Sequence, residues 1–249
     1  MDGARTHSAE SFVPRIPDSV TAETGVALRD VGLARIPNFL PAASALALHA
    51  YFQEVEWQKA VTFGEQAGNL ELGSASAMEA AKQALLVAAA HRRAADSFQF
   101  AYDNVRVSKD PKKRRARDWP IDRLLDAWNS PEGLALFRAL VDEPGITLID
   151  GRATRYCPGD FLTRHDDQTG NRHTAYVLGL SPEWRPDWGG LLLLHDLAGA
   201  TSQALHPQFN TLTLFRVPCD HSVSIVAPFA PVPRYAFAGW CNLGAALDC

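Results

Sequence analysis

The chain has 249 residues, 47% apolar and 21% charged, with a formal net charge of −4, a composition that can bury a core of ordinary size. That balance supplies no global attraction to nucleic acid or an anionic membrane, and no stretch reaches the ~20 consecutive apolar residues of a membrane-spanning helix. Residues 1–7 lack the apolar core of a secretory leader. The four cysteines, Cys157, Cys219, Cys241 and Cys249, show no CxxC pairing, so free thiols in a reducing, cytoplasmic setting are expected.

Residues 1–24 are polar, show little periodicity and read as a flexible arm. Residues 25–249 read as one domain, helix-rich over 25–145 and strand-rich over 146–242. Val26–Ile36 reads as an entry segment with a short strand. Pro41 suits the first position of a helix whose apolar stripe is Ala45, Leu46, Leu48, His49, Tyr51 and Phe52. Trp57–Phe63 reads as strand. Ser74–Ser97, alanine-rich and without glycine or proline, is the longest predicted helix. Phe98–Val107 alternates as a strand. Residues 109–117 then carry six basic side chains in nine and read as a solvated loop, with capture of an acidic or nucleic-acid surface as the minor alternative. Ile121–Trp128 and Pro131–Asp142 read as short helices.

From Ile146 onward the pattern changes to short strands: Ile146–Tyr156, Phe161–Asp166, Thr174–Leu180, Gly190–His195, Thr211–Val217, Ser222–Ala227 and Arg234–Trp240. Their spacing implies an α+β chain in which N-terminal helices pack on one sheet of a double-sheet jelly roll.

His165 and Asp167 lie two residues apart in a predicted strand, and period-2 geometry puts both on one face. His221 follows Asp167 by 54 residues. Two imidazoles and one carboxylate are the facial donor set of non-haem Fe(II) oxygenases. Arg234 shares a strand face with Ala236, Ala238 and Trp240. A guanidinium on an inward face is costly without an anion, and the small neighbours leave room for a bidentate carboxylate. The alternative is a buried Arg–acid pair or an edge strand facing water. His173 and His195 are the rival ligands, His91 and His206 read as surface or helix residues, and Asp166 faces the other way. Trp184 and Trp188 read as loop anchors.

An ordered series of residues resembles the prolyl-hydroxylase-like branch of the 2-oxoglutarate/Fe(II)-dependent dioxygenases, and within it the group containing the ribosomal-protein prolyl hydroxylases. The series runs Tyr156-Cys157-Pro158-Gly159-Asp160-Phe161-Leu162, His165-Asp166-Asp167, Arg172–Leu180, Glu183–Leu191, Phe209–Leu212, Phe215, His221 and Arg234–Trp240. It covers residues 147–242, with a looser likeness at Ile36–Leu40. The resemblance implies iron bound by His165, Asp167 and His221, with Arg234 on the distal carboxylate of 2-oxoglutarate. Tyr156 would reach the cosubstrate or the substrate side, Leu192 would be an apolar wall, and Trp240 would line the pocket base. It implies hydroxylation of an unactivated C–H bond with O2, release of succinate and CO2, and room for ascorbate as a reductant. A prolyl residue of a protein or peptide is the leading substrate. A free amino acid, small peptide or natural-product precursor is the alternative, and a jelly-roll metal-binding sensor or binding module is the non-enzymatic one. The chain departs from the pattern twice. Gly179 stands where some relatives carry a tyrosine for 2-oxoglutarate, with Tyr176 as the only nearby replacement. The interval from His221 to Arg234 is long and holds Pro228, Pro231 and Pro233.

Overall fold

The structure, a computed structural model, describes residues 12–63, 68–72, 77–196 and 198–244. The first half supplies α1 (Asp18–Asp30), β1 (Leu33–Ile36), α2 (Ala42–Glu54), β2 (Gln58–Phe63), β3 (Gly68–Leu72), α3 (Ala77–Arg93), β4 (Phe100–Arg106), α4 (Pro111–Arg117), α5 (Pro120–Trp128) and α6 (Pro131–Val141). The second half supplies β5 (Ile146–Tyr156), β6 (Phe161–His165), β7 (Arg172–Gly179), β8 (Leu192–His195), β9 (Thr201–Leu205), β10 (Leu212–Arg216), β11 (His221–Val223) and β12 (Arg234–Leu243). Strands pair antiparallel in the order β1-β10-β7-β12-β5-β4-β6-β11-β8-β9, and β2 adds β3 beside β4. The sheet curls until Leu192 and Leu194 of β8 pack on Ala175 of β7 and Phe215 of β10. A curled antiparallel sheet with helices on one side is the α+β jelly-roll core expected.

Alternation along β5 and β12 divides the molecule into two faces. Ile149, Ala153, Tyr235, Phe237 and Cys241 join the large core beneath the helices, with Leu48 and Phe52 of α2, Leu124 and Trp128 of α5, and Phe137 of α6. Trp128 is fully buried and its indole donates to Phe12 O at 3.1 Å. Removing such a ring costs about 3–5 kcal/mol. The residues between, Arg152, Thr154, Tyr156, Arg234, Ala238 and Trp240, face a cavity instead.

Several expectations change. Of the arm expected over 1–24, residues 1–11 lie outside the described residues, but Phe12 is buried and Asp18–Asp30 is helical. Thr24, Gly25 and Leu28 are that helix's buried stripe, read as aperiodic because the polar residues between them dilute it. The basic run is not a loop. Asp110 caps α4 by accepting from Lys112 N at 2.8 Å, and Arg114 is buried against Asp126 at 2.6 Å. Arg117 forks onto Asp122 and Lys109 reaches Asp150 at 2.9 Å, so acids distant from the run neutralise much of it. β9 was not foreseen because its side chains are largely exposed on an edge strand and give no apolar alternation. Among the described residues, no helix is long and apolar enough to cross a membrane.

Candidate active site

β6 and β11 pair so that His165 lies opposite His221. Each imidazole is oriented by the carbonyl two residues before it: His165 Nδ1 lies 3.0 Å from Thr163 O, and His221 Nδ1 lies 2.7 Å from Cys219 O. Donation from Nδ1 leaves both Nε2 lone pairs aimed inward, the arrangement of metal-binding histidines. The ring centroids stand 4.0 Å apart. Asp167 completes the group, with carboxylate oxygens 3.7 Å from His165 Nε2 and 3.4 Å from His221 Nε2. The three donors stand close enough together that they would hold one ion. One donor atom from each residue lies within 4.8 Å of the others.

Asp167 arrives differently from the period-2 expectation. β6 ends at His165, and Asp167 has φ +59°, a left-handed conformation that aspartate tolerates better than most residues. The turn, not the pleat, brings the carboxylate round to the histidines. Trp240 Nε1 donates to its Oδ2 at 2.9 Å and Arg172 donates to its Oδ1 at 3.1 Å. Burial pushes the Asp167 carboxyl upward, but hydrogen bonds and charge from His221, His165 and Trp240 outweigh that and hold it at about 2. Burial, reinforced by His221, lowers His165 to about 4. Carboxylate and neutral imidazole are the protonation states a metal ligand needs.

A cavity of about 530 Å³ opens beside these donors, within the usual size for a small-molecule site. Arg234 opens β12 opposite Tyr156 of β5. It is 4% exposed, it has no salt bridge among the described residues, and its Nε has no hydrogen-bond partner. Its guanidinium carbon lies 5.1 Å from the Tyr156 ring centre, and Tyr156 stacks on Tyr102 at 5.0 Å. Burial lowers the Arg234 pKa and raises that of Tyr156. A Cβ on Gly190, whose φ is +62°, would stand 3.0 Å from Arg234 Cδ, so the glycine leaves the side chain its path. A buried guanidinium with an orphaned N–H fits a carboxylate brought in from outside. The alternatives of an internal Arg–acid pair and a solvated edge strand are thereby removed.

Leu192, 5% exposed, lines the same cavity. Trp240 also lines it, and its indole N–H reaches the Asp167 carboxylate. Tyr176 does not stand in for Gly179. Its ring lies in the helix-side core and its hydroxyl donates to Asp150 O at 2.7 Å. Gly179 admits no side chain, since a Cβ there would lie 2.2 Å from Gln208 O. The long segment before Arg234 folds back, with Val226 and Ala230 packed on the cluster that holds Tyr156. The rival histidines are engaged elsewhere: His195 Nε2 with Ser222 at 2.9 Å, His173 Nε2 with Arg216 at 2.9 Å. Trp184 ties its loop by donating to Gly189 O at 2.9 Å. Arg152, Thr154 and Arg172 also line the cavity and were missed. For Arg152 and Thr154 a signal existed, because both share Tyr156's face of β5 by alternation.

Known proteins share parts of this sequence and its fold. A family model described as the 2OG-Fe(II) oxygenase superfamily matches residues 151–242. The chain is 35% identical over 115 residues to the prolyl 3-hydroxylase OGFOD1 of Mus musculus, a match covering 42% of this chain and 21% of that protein. It is 33% identical over 105 residues to the Xenopus laevis counterpart, covering 38% of this chain and 20% of that one. The matches thus span about a fifth of those relatives' length. Among solved structures, a Pseudomonas putida prolyl-4-hydroxylase superposes with a TM-score of 0.51 at 20% identity, covering 90% of this chain and 100% of that one. An oxidoreductase of the 2OG-Fe(II) oxygenase family from Burkholderia pseudomallei gives 0.60 at 14% identity, covering 93% and 95%. At these identities the superpositions establish the shared fold.

Proposed function

We propose, for a chain whose core is that of a prolyl-hydroxylase-like 2-oxoglutarate/Fe(II) oxygenase, that it hydroxylates an unactivated C–H bond, with a prolyl residue of a protein or peptide as substrate and O2 as oxidant. The observation that carries this reading is the pairing of a three-donor face, His165, Asp167 and His221, with a buried guanidinium, Arg234, whose Nε is unpaired and which has no salt bridge among the described residues. A purely structural arginine would have an acid beside it, and a bare metal-binding module would not need the arginine at all.

Iron bound at the three donors supplies the activation of dioxygen that no side chain provides. The chain's residues do the rest. His165 and His221 present their Nε2 donors, with the rings fixed by the carbonyls of Thr163 and Cys219. Trp240 and Arg172 hold the Asp167 carboxylate in place. Arg234 binds and orients the distal carboxylate of 2-oxoglutarate, while Leu192 and Phe215 add apolar wall to the same cavity and help exclude water. Cys157, Cys219 and Cys241 are free thiols, which suits work in the cytoplasm. The protein loaded with Fe(II) should turn 2-oxoglutarate into succinate, and Asp167→Ala should lower that rate at least about 100-fold. Undiminished turnover in Asp167→Ala would refute the iron assignment.

A further inference from the structure

β5 and β12 lie side by side, and their register lays out one wall of the cavity. Arg234 is opposite Tyr156, Ala236 opposite Thr154, and Ala238 opposite Arg152. The wall therefore carries two arginine positions, separated by four residues of strand, or roughly 13 Å of backbone at about 3.3 Å per residue. Arg234 is buried at one end. Arg152, half-buried, belongs to the other.

Arg152 has no salt bridge among the described residues. Its one hydrogen bond among the described residues is a long contact of 3.5 Å to Tyr102 Oη, and its guanidinium carbon lies 5.3 Å from the Trp240 ring centre. Stacking of this kind covers a guanidinium's face and leaves its N–H edge available. The small side chain of Ala238, directly opposite, leaves space beside it. The charged groups around it have contacts of their own. Arg172 is engaged by Asp167, and the nearby Asp150 takes Lys109 and the Trp240 backbone N–H. A divalent ion, Asp167, Arg234 and doubly charged 2-oxoglutarate balance one another. That leaves Arg152 and Arg172 against exposed Asp166, which accepts from Gln168 N, so the substrate side of the cavity carries surplus positive charge.

We propose that Arg152 determines substrate specificity by taking a carboxylate that the substrate carries close to the carbon being hydroxylated. This rests on the hydroxylase reading above and deepens it, because it makes the substrate acidic at a defined point. The carboxylate has two sources, an Asp or Glu side chain next to the target residue, or the terminal carboxylate of a short peptide or free amino acid.

Blocked peptides with one proline flanked by Asp, Asn or Lys, and a matching set ending in a free or amidated carboxyl after the proline, separate these sources. Each is incubated with the iron-loaded enzyme, 2-oxoglutarate and O2, and followed by mass for the gain of one oxygen atom. The acidic member of at least one set should exceed its amide counterpart by about tenfold in kcat/KM. That ratio should collapse toward one in Arg152→Gln, recover partly in Arg152→Lys, and turn toward the Lys peptide in Arg152→Glu. Equal rates for acid and amide, or a ratio unaltered by Arg152→Gln, would overturn the inference while the prolyl reading stood.

A second measurement needs no turnover. In protein loaded with Zn(II) and 2-oxoglutarate, the Nε–H resonance of Arg152 should shift saturably with N-acetylaspartate N-methylamide or N-acetylglycine, and not with N-acetylasparagine N-methylamide. If no prolyl peptide gains oxygen but this shift occurs, the prolyl reading fails and the anion site stands. No shift with either acid refutes the site.

Discussion

Two cations a few strands apart, Lys59 half-buried and Arg234 buried, are treated in opposite ways. Lys59 on β2 lies between Asp103 and Asp160, with Nζ 3.0 Å from Asp103 Oδ1 and 2.9 Å from Asp160 Oδ1. Arg155 adds a second cation to Asp103 at 2.8 Å, and the Cys157 backbone N–H donates to Asp160 at 2.8 Å. Every charge there has a partner inside the chain, and the cluster clamps the Tyr156–Asp160 turn onto β2 and β4. The group Asp103, Cys157 and Asp160 has the donor types of a metal site, but the Lys59 ammonium already supplies its positive charge. Among the described residues Arg234 has no such company. A buried charge that is fully paired maintains structure, whereas one left unpaired at a cavity is held in readiness for a ligand.

Substitutions separate the two cases. Lys59→Met should leave the buried Asp160 carboxylate without a cation and Asp103 with Arg155 alone, and cost about 3–5 kcal/mol of folding stability, read from denaturant midpoints. An unchanged midpoint would mean that the clamp is not structural. The metal-free site adds a pH test. The unfolded chain protonates His165 near 6.5 and the folded chain only at about 4, so stability is retained above pH 6.5 and falls as pH drops from 6.5 toward 4. The loss is about 3 kcal/mol, measurable as a falling melting temperature, and His165→Gln should flatten that slope. Arg234→Met should leave stability within about 1 kcal/mol of the parent, since no acid is stranded, while the KM for 2-oxoglutarate rises about 100-fold. A large loss of stability with an unchanged KM would place Arg234 with Lys59 instead. Trp240→Phe removes one N–H from Asp167 and should weaken metal binding about tenfold, seen by titrating Fe(II) or Mn(II) anaerobically.

Much of the second half was legible in the sequence, because strand alternation is a local property. β5 and the start of β12 fall where apolar and polar residues interleave, and the face shared by Arg234, Ala238 and Trp240 follows from counting by two. The first half was less so. The stretch 109–117 looks like a solvated run because its partners Asp122, Asp126 and Asp150 come later in the chain. The helix Asp18–Asp30 hides its stripe among polar residues.

The sequence by itself determined the donor chemistry of the site: two imidazoles, one carboxylate and one guanidinium, each on or beside a strand that could carry it inward. Only the tertiary structure decided how those groups are used. The turn at Asp167 swings its carboxylate onto the histidines through a left-handed residue rather than through the pleat. Tyr176 goes to the helix side, since the strands that flank β7 place its ring among Trp128 and Phe237. Lys59 is satisfied by Asp160, 101 residues away, while Arg234 has no salt bridge among the described residues. Whether a charge is paired depends on what the fold brings beside it from far along the chain, and no local pattern contains that information.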